Sequence, residues 1–378
     1  MDFDLSDEQK LVADNVARLM KDKYGFEQRN GYAASPVGFS EPLWRQYAEL
    51  GLLGAPFAEE DGGYGGGAVE IMLTQEAFGR ALALEPYFAS VVLAGSALRH
   101  GATAEQRAEL IPQVASGELR LALANMEPQS GWNPFDVKTT AKAEGDGYIL
   151  DGQKGLVVNG DSAQKLIVLA RVSGGQRDRD GLGLFLIDAD AAGVSRRGYS
   201  TQDGRRAAEI YFARAKATPL GEPGKAGPVM ARVNEDAIAA LAAEAVGAMA
   251  EAVEMTTEYM KTRKQFGVPI GSFQALQHRA ADMVVALEQA RSMMYLAVMS
   301  CSEDDAATRA RSMSAAKAQI GRSAKFIGQQ ATQLHGGIAM TYEYKVGHLF
   351  KRLTMIDAAY GDADFHVRRL SERGSLFA

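Results

Sequence analysis

The stretch that decides the fold runs from residue 258 to residue 283 and reads EYMKTRKQFGVPIGSFQALQHRAADM. The segment before it carries apolar residues three and four positions apart, which is the spacing of a helix that buries one face. We expect this helix to stop near residues 267–269, because proline cannot extend a helix and disfavours helix one residue earlier. A second helix should begin near Ser272. The stretch therefore predicts a helical hairpin with a sharp corner.

Two polar side chains mark this corner. Arg263 ends the first predicted helix and Gln274 opens the second. A guanidinium and an amide at one corner can hold a phosphate-bearing ligand, because the guanidinium offers a rigid fork of donors to phosphate oxygens. A solvated arginine at the end of an ordinary helical hairpin remains the simpler interpretation from the residues alone.

The sequence of this stretch resembles a motif of the acyl-CoA dehydrogenase family. The resemblance rests on Tyr259-x-x-x-Arg263-x-x-Phe266-Gly267-x-Pro269-Ile270 followed by Phe273-Gln274, and on Gln333-Leu-His-Gly336-Gly337. It implies that the two stretches reach across a subunit interface and hold the pyrophosphate and adenine half of the neighbouring subunit's FAD. The cofactor-binding residues that it implies are Arg263, Phe266, Gln274, Gln333, Gly336 and Gly337.

Composition excludes several classes of protein. The formal net charge is -6, so neither a nucleic-acid partner nor a polybasic membrane contact is expected. No run of about 18 apolar residues is present, and we expect no membrane span. The single cysteine, Cys301, cannot form an internal disulfide, which favours a reducing, cytoplasmic location. The five histidines have no ligand-like spacing, so no histidine-cysteine metal site is expected.

The pattern along the 378 residues changes twice. Ser6 and Gln9 have the spacing of a capping box, and helical periodicity then dominates as far as residue 120. Short β-rich runs follow, and Asp151-Gly152 between two of them predicts a hairpin. From about residue 229 the chain reads as helical again. We therefore predict an α+β fold with an N-terminal helical domain (1–120), a middle β-sandwich or barrel domain (121–228) and a C-terminal helical bundle (229–378). The resemblance implies that this bundle has four helices and carries oligomerisation.

The resemblance also implies a reaction, the α,β-dehydrogenation of an acyl-CoA thioester, in which a carboxylate removes the α-proton. Counting from Gln333 places the usual base at Tyr360, and the alternative position on the preceding long helix falls on Ala237. No catalytic residue is therefore assigned. Asp236 and Asp362 are fallback candidates, but each is one or two residues out of register, and one residue turns a helical side chain by about 100°.

The residues that face a chain's own flavin ring in the family have changed as well. The family's Lys-Met-Trp-Ile-Thr-Asn-Gly becomes KGLVVNG at residues 154–160, so Leu156 replaces the aromatic wall and Val158 replaces the threonine hydroxyl. The family's Thr-Glu-Pro-Gly-Ala-Gly-Ser becomes MEPQSGW at residues 126–132. The positions that serve a neighbour's FAD are kept, whereas those that serve the chain's own ring and base are not.

Three interpretations follow. The first is a base-lacking subunit that works with a catalytic acyl-CoA dehydrogenase subunit in a hetero-oligomer. The second is a self-sufficient homo-oligomeric enzyme with a displaced carboxylate as base. The third is a non-catalytic scaffold or binding protein with the same fold. The partners that the resemblance implies are acyl-CoA and, as electron acceptor, an electron-transfer flavoprotein.

Overall fold

The computed structural model describes residues 5–372. Its helices are α1 (Asp7–Lys23), α2 (Phe26–Ala33), α3 (Glu41–Glu49), α4 (Ala68–Ala81), α5 (Gly95–Gly101), α6 (Ala104–Ala115), α7 (Ala226–Thr262), α8 (Gln274–Ser300), α9 (Ala306–His335), α10 (Lys345–Ala358) and α11 (Ala363–Glu372), with a π-helical segment at Phe88–Ala94. Its strands are β1 (Leu121–Ala124), β2 (Thr140–Glu144), β3 (Gly147–Val158), β4 (Lys165–Arg171), β5 (Leu182–Asp188), β6 (Val194–Ser200), β7 (Arg206–Leu220), β8 (Lys264–Gln265) and β9 (Val268–Pro269).

The chain packs as two compact units that are not contiguous in sequence. Among the described residues, one unit contains 5–30, 68–83 and 238–372, and the other contains 31–67 and 84–237. The predicted α+β class is confirmed, since helical N-terminal and C-terminal regions flank a central β region. The predicted domain limits at residues 120 and 228 stay predictions.

In the first unit, α9 packs against α8, α10 and α11. The buried side chains of α8 follow a helical stripe, Met283, Leu287, Ala290 and Met294. Spacing of four, three and four residues keeps these side chains on one face, which is how an amphipathic helix buries apolar area.

Two glycines allow α4 and α7 to approach closely in the first unit. A Cβ added at Gly79 would lie 2.0 Å from the carbonyl oxygen of Glu244, and one added at Gly247 would lie 1.9 Å from that of Glu76. Both contacts are with backbone, which cannot rotate away. These positions therefore require glycine for the two helices to pack.

The second unit contains the β-domain, and its strand pairing closes a ring. The main path runs β4-β2-β3-β7-β5, and β5 pairs again with β4. The core inside is apolar and includes Leu150, Val168, Phe185 and Ile210. Of the two predicted alternatives, sandwich or barrel, the closed pairing gives a barrel.

The predicted hairpin at Asp151-Gly152 is wrong. These residues lie inside the continuous strand β3, where the register against β7 shifts between Leu150 and Gly152. Gly152 has φ +148°, and a Cβ there would lie 2.6 Å from the Thr139 hydroxyl oxygen. A glycine inside a strand often marks a bulge or a close approach of another chain segment, and both occur here. The hairpin turn lies earlier in the chain, between Glu144 at the end of β2 and Gly147 at the start of β3.

Candidate functional site

The corner after α7 is a small β-hairpin. The helix ends at Thr262, earlier than predicted, and β8 pairs with β9 so that Phe266 and Gly267 form the turn. Both turn residues have positive φ, +54° and +83°, which is the geometry of the tight turns that suit right-twisted strands. The backbone N–H of Ile270 donates to the carbonyl of Arg263 across 2.8 Å and closes the corner.

Arg263 is exposed, and its guanidinium has no hydrogen bond or ion pair to any residue between 5 and 372. Phe266 is 92% exposed at the tip of the hairpin, and its ring forms a T-shaped pair with the Phe273 ring, with the centroids 6.2 Å apart. The corner therefore offers a solvated cation and an exposed aromatic ring side by side, and both are open to a ligand or a partner.

The second predicted stretch lies at the end of α9. Gly336 ends the helix with φ +66°, and a Cβ added at Gly336 or Gly337 would meet no atom within 4 Å. An open pocket of about 250 Å³ brings the two stretches together, and it is lined by Ala275, Leu276, Arg279, Gln333 and Leu334. Gln274 directly precedes Ala275, one of the residues that line this pocket. The structure thus places Gln333 beside the first turns of α8.

A ring stack also joins the two stretches. The Tyr259 ring, one turn before Arg263, stacks on the buried His335 ring with centroids 4.5 Å apart and planes at 29°. The ring of Tyr344 lies 5.2 Å from His335 on the side of α10. This stack connects the ends of α7 and α9 with the start of α10.

Sequence reasoning missed two residues of this corner, Arg279 and His335. Arg279 lines the pocket with Gln333 and donates to the Gln330 side chain across 3.1 Å. Its signal was its place one to two turns after Gln274 on the same helix. His335 lies inside the quoted Gln-Leu-His-Gly-Gly run, but its partner Tyr259 is distant in sequence.

The position expected for the base lies in the turn between α10 and α11. Tyr360 occupies it with φ +57°, and burial raises the pKa of its phenol. The buried Lys317 ammonium donates to the carbonyls of Asp357 and Gly361, both at 2.8 Å, and His366 Nε2 lies 3.0 Å from the carbonyl of Tyr360. Burial lowers the pKa of Lys317 to about 8 and that of His366 to about 4. These hydrogen bonds fix the turn, but the side chain at the base position is a protonated phenol, not a carboxylate.

The two fallback carboxylates are engaged elsewhere. In the second unit, Asp236 is buried and accepts hydrogen bonds from the Ser96 hydroxyl at 2.7 Å and from Arg99 at 2.9 Å, with His100 at 3.4 Å. Burial alone would raise the pKa of Asp236, but these partners outweigh it and hold the pKa below its usual range. In the first unit, Asp362 accepts from the backbone N–H of Phe365 across 2.8 Å at the start of α11.

In the second unit, the altered segments 126–132 and 154–160 are held together by a buried ion pair. Lys154 donates to Glu127 across 2.7 Å, and the backbone N–H of Gly155 donates to the carbonyl of Met126 at 3.0 Å. Leu156 is exposed with φ +51° at a register shift of β3. Neither an aromatic wall nor a hydroxyl is available from Leu156 and Val158.

Comparison with known proteins defines the family. The acyl-CoA dehydrogenase N-terminal domain matches residues 6–118, the middle domain residues 122–215 and the C-terminal domain residues 229–374. The chain is 30% identical over 350 residues to acyl-CoA dehydrogenase FadE12 of Mycobacterium tuberculosis, covering 90% of this chain and 89% of that one. This chain belongs to the acyl-CoA dehydrogenase family, a family of flavoprotein oxidoreductases that act on acyl-CoA.

Solved structures of related proteins have the same fold as this chain. A variant of the Tcur3481-Tcur3483 steroid ACAD has a TM-score of 0.87 and 31% identity, covering 97% of both chains. The FAD complex of PigA has a TM-score of 0.88 and 26% identity, covering 99% of both chains.

The Arg263 corner fits an FAD. A diphosphate needs a cation that is not neutralised internally, and the guanidinium of Arg263 meets that requirement within the described residues. The open glycines at 336 and 337 leave room for close approach of a ligand to the backbone. Between residues 5 and 372, no three His, Cys, Asp or Glu side chains are grouped to hold a metal ion, and no helix has the length and apolar character to cross a bilayer.

Proposed function

We propose that this chain is the base-lacking subunit of a heteromeric acyl-CoA dehydrogenase. Its C-terminal helices complete an FAD site in a neighbouring subunit, and that neighbour carries the carboxylate base. The wording of the chain, including GGQRDRDGLGLFL at residues 174–186, most resembles the small subunit of bacterial pimeloyl-CoA dehydrogenase. The substrate class is an acyl-CoA, consistent with a role in degradation of fatty or dicarboxylic acids.

One contrast carries this proposal. The corner of Arg263, Gln274 and Gln333 is exposed and unengaged within residues 5–372, whereas the base position holds Tyr360, a phenol whose pKa burial raises. A binding corner kept without a base at the expected position is the pattern expected of a chain that serves another chain's cofactor.

The residues of this chain have separate tasks in the proposed reaction. The fork of Arg263 binds the diphosphate of the neighbour's FAD, Gln274 and Gln333 orient the adenosine half, and Phe266 covers it from water. Bound FAD supplies the acceptor for the substrate's β-hydride. The α-proton needs a base whose pKa lies near the working pH, and a phenol with a raised pKa holds its own proton there. The proton therefore goes to the neighbouring subunit's carboxylate.

The homomeric alternative needs Asp236 or Asp362 as base. Asp236 accepts from three side chains that lower its pKa, which makes it a weaker base, and Asp362 caps a helix. The scaffold alternative leaves the open Arg263 corner without a task. Both observations favour the interpretation that this chain is a subunit of a heteromeric enzyme.

The outer face of α8 supports assembly. Val284, Val285 and Leu296 lie exposed on this helix, and Val285 is 57% exposed. A stable interface buries roughly 800 Å² of total surface per partner, to which such exposed apolar side chains contribute, and a shared cofactor site needs a fixed contact. We propose that a related acyl-CoA dehydrogenase subunit covers this face. An electron-transfer flavoprotein is the proposed electron acceptor, and a chain with the single cysteine Cys301 suits a cytoplasmic location.

Isolation of the native assembly tests the proposal. The chain is tagged at its N-terminus and purified from its own cells, and the subunits are identified by mass spectrometry while flavin is counted per subunit. We expect a co-purifying acyl-CoA dehydrogenase chain with a carboxylate at its base position. A homo-oligomer with one flavin per chain and full turnover would contradict the proposal.

A further inference from the structure

We propose that the stacked rings of Tyr259 and His335 are a positioning pair that fixes Arg263 relative to Gln333. This inference rests on the proposed function, because the pair acts on the corner that holds the neighbouring subunit's FAD. The two rings act without touching the cofactor. Their effect on FAD passes through the residues that they hold in place.

Each of the two rings is linked to a binding residue by a short stretch of chain. The backbone N–H of Arg263 donates to the carbonyl of Tyr259 across 2.8 Å, so the two residues share one helical turn. His335 lies two residues after Gln333, and the next residue, Gly336, is the C-cap of α9. A shift of either ring therefore moves one side of the corner.

The Arg279 side chain also ties α8 to α9 by donating to Gln330 across 3.1 Å, but the binding side chains themselves are not held in this way. Within residues 5–372, the side chains of Arg263, Gln274 and Gln333 make no hydrogen bond or ion pair with the chain. The glycines at 336 and 337 have no neighbour that an added Cβ would meet. The spacing of the binding groups is thus set by how the helix ends pack, and the ring stack is the aromatic contact between the ends of α7 and α9.

The His335 ring is suited to this task. It is buried, and Nδ1 lies 2.8 Å from the carbonyl oxygen of Ala331; a carbonyl only accepts, so Nδ1 carries the hydrogen. This bond fixes the plane of the ring against Tyr259. Burial lowers the pKa of His335, so the ring is neutral at neutral pH and the stack contains no buried charge.

The test measures FAD affinity of the native assembly after removal of its flavin. His335→Leu and Tyr259→Leu each remove one ring, and an aromatic pair contributes enough to predict about 3- to 10-fold weaker FAD binding. His335→Phe restores a ring and should return the affinity to within about twofold of the parent. In an Arg263→Ala background the same leucine substitutions should weaken binding less, because the guanidinium that they misplace is gone.

A matched control separates positioning from general stability. Tyr148 packs on Phe185 in the barrel with centroids 4.9 Å apart, far in sequence from the corner. Tyr148→Leu should lower the melting temperature without changing the FAD dissociation constant. If His335→Leu does not fold, Tyr259→Leu with Tyr259→Phe as its ring-retaining partner gives the same comparison.

The outcomes are distinct. Parent-like FAD affinity in the folded leucine variants, together with weak binding in Arg263→Ala, would overturn the positioning role and leave the proposed function standing. Parent-like affinity in Arg263→Ala as well would overturn both.

Discussion

The Lys154 ammonium donates to the Glu127 carboxylate across 2.7 Å, and both side chains are almost fully buried. The carboxylate also accepts from the backbone N–H groups of Lys138 and Thr139 at 2.8 and 2.9 Å. A buried carboxylate with this many donors organises three chain segments at once. Breaking it should therefore be costly, even though an exposed ion pair is worth little.

Removal of one partner of this pair should destabilise the protein strongly. Glu127→Gln or Lys154→Met leaves a buried charge without its counterion, which typically costs about 3–5 kcal/mol of the free energy of unfolding. The double variant should cost less than the sum of the two, because neither charge remains. Chemical denaturation measures all three. Arg197→Ala, which removes an exposed pair with Glu209, is the control and should cost less than about 1 kcal/mol. Equal effects of the buried and exposed substitutions would contradict the interpretation.

The same carboxylate predicts acid sensitivity. Burial alone would raise the pKa of Glu127, but the charge and hydrogen bond of Lys154 outweigh it and lower the pKa from 4.5 to about 2. A carboxylate whose folded pKa is depressed stabilises the fold above its unfolded pKa, and this contribution disappears as the pH falls through the folded value. Stability should therefore decline between pH 4.5 and about 2, and Glu127→Gln should flatten that part of the curve. An unchanged acid limb in the variant would refute the assignment.

Arg263 should determine FAD retention through both its charge and its shape. A hydrogen bond to a charged group contributes about 1.5–3 kcal/mol, so Arg263→Ala should weaken FAD binding by about 10- to 100-fold. Arg263→Lys keeps the charge but loses the fork, and we expect an intermediate loss. Arg214→Ala, at an exposed arginine of the barrel paired with Glu144, is the control for a lost surface charge. Flavin content equal to the parent in Arg263→Ala would remove this residue from the site.

Tyr360 should be dispensable for proton removal. Because burial raises the pKa of its phenol, Tyr360 stays protonated at neutral pH. Tyr360→Phe should change turnover of the complete assembly by less than about tenfold, whereas loss of a general base typically costs about 10²- to 10⁴-fold. Steady-state kinetics with an artificial electron acceptor decide between these ranges. A loss of more than about a hundredfold, the lower end of a general-base effect, would make Tyr360 catalytic.

Gly247 should not tolerate a side chain. Its missing Cβ would lie 1.9 Å from a backbone oxygen, so Gly247→Ala forces α4 and α7 apart and should cost about 1–3 kcal/mol or more. Gly31→Ala is the matched control, because a Cβ at this helical glycine meets no atom within 4 Å. That substitution should be neutral or gain about 0.5–1 kcal/mol. Similar melting temperatures for the two variants would show that the helices can separate without cost.

Local sequence signals predicted the elements better than their contacts. Ser6 and Gln9 form the predicted capping box, because that pattern depends on neighbours three residues apart. The turn at Phe266 could not be predicted from the sequence, because phenylalanine rarely adopts the positive φ that this turn requires. Asp151-Gly152 has the letters of a hairpin turn, but its close approach to Thr139 is a property of the folded barrel.

The candidate site shows the same limit. Arg263 and Gln333 could be selected from motifs, whereas the stack of Tyr259 on His335 and the hold of Lys317 on Gly361 join residues far apart in sequence. The capture of Asp236 by Ser96, Arg99 and His100 is likewise a long-range contact. Periodicity and spacing report on one element at a time, so they do not reveal which side chains of different elements meet.

The most direct test of the central claim is acyl-CoA turnover by the purified chain alone and by the native assembly, with FAD in excess and an artificial electron acceptor. We predict little or no turnover by the chain alone and robust turnover by the assembly, because Tyr360 stands where the base is expected. Robust turnover by the homomeric chain, abolished by Asp236→Asn or Asp362→Asn, would contradict the account and identify the displaced base.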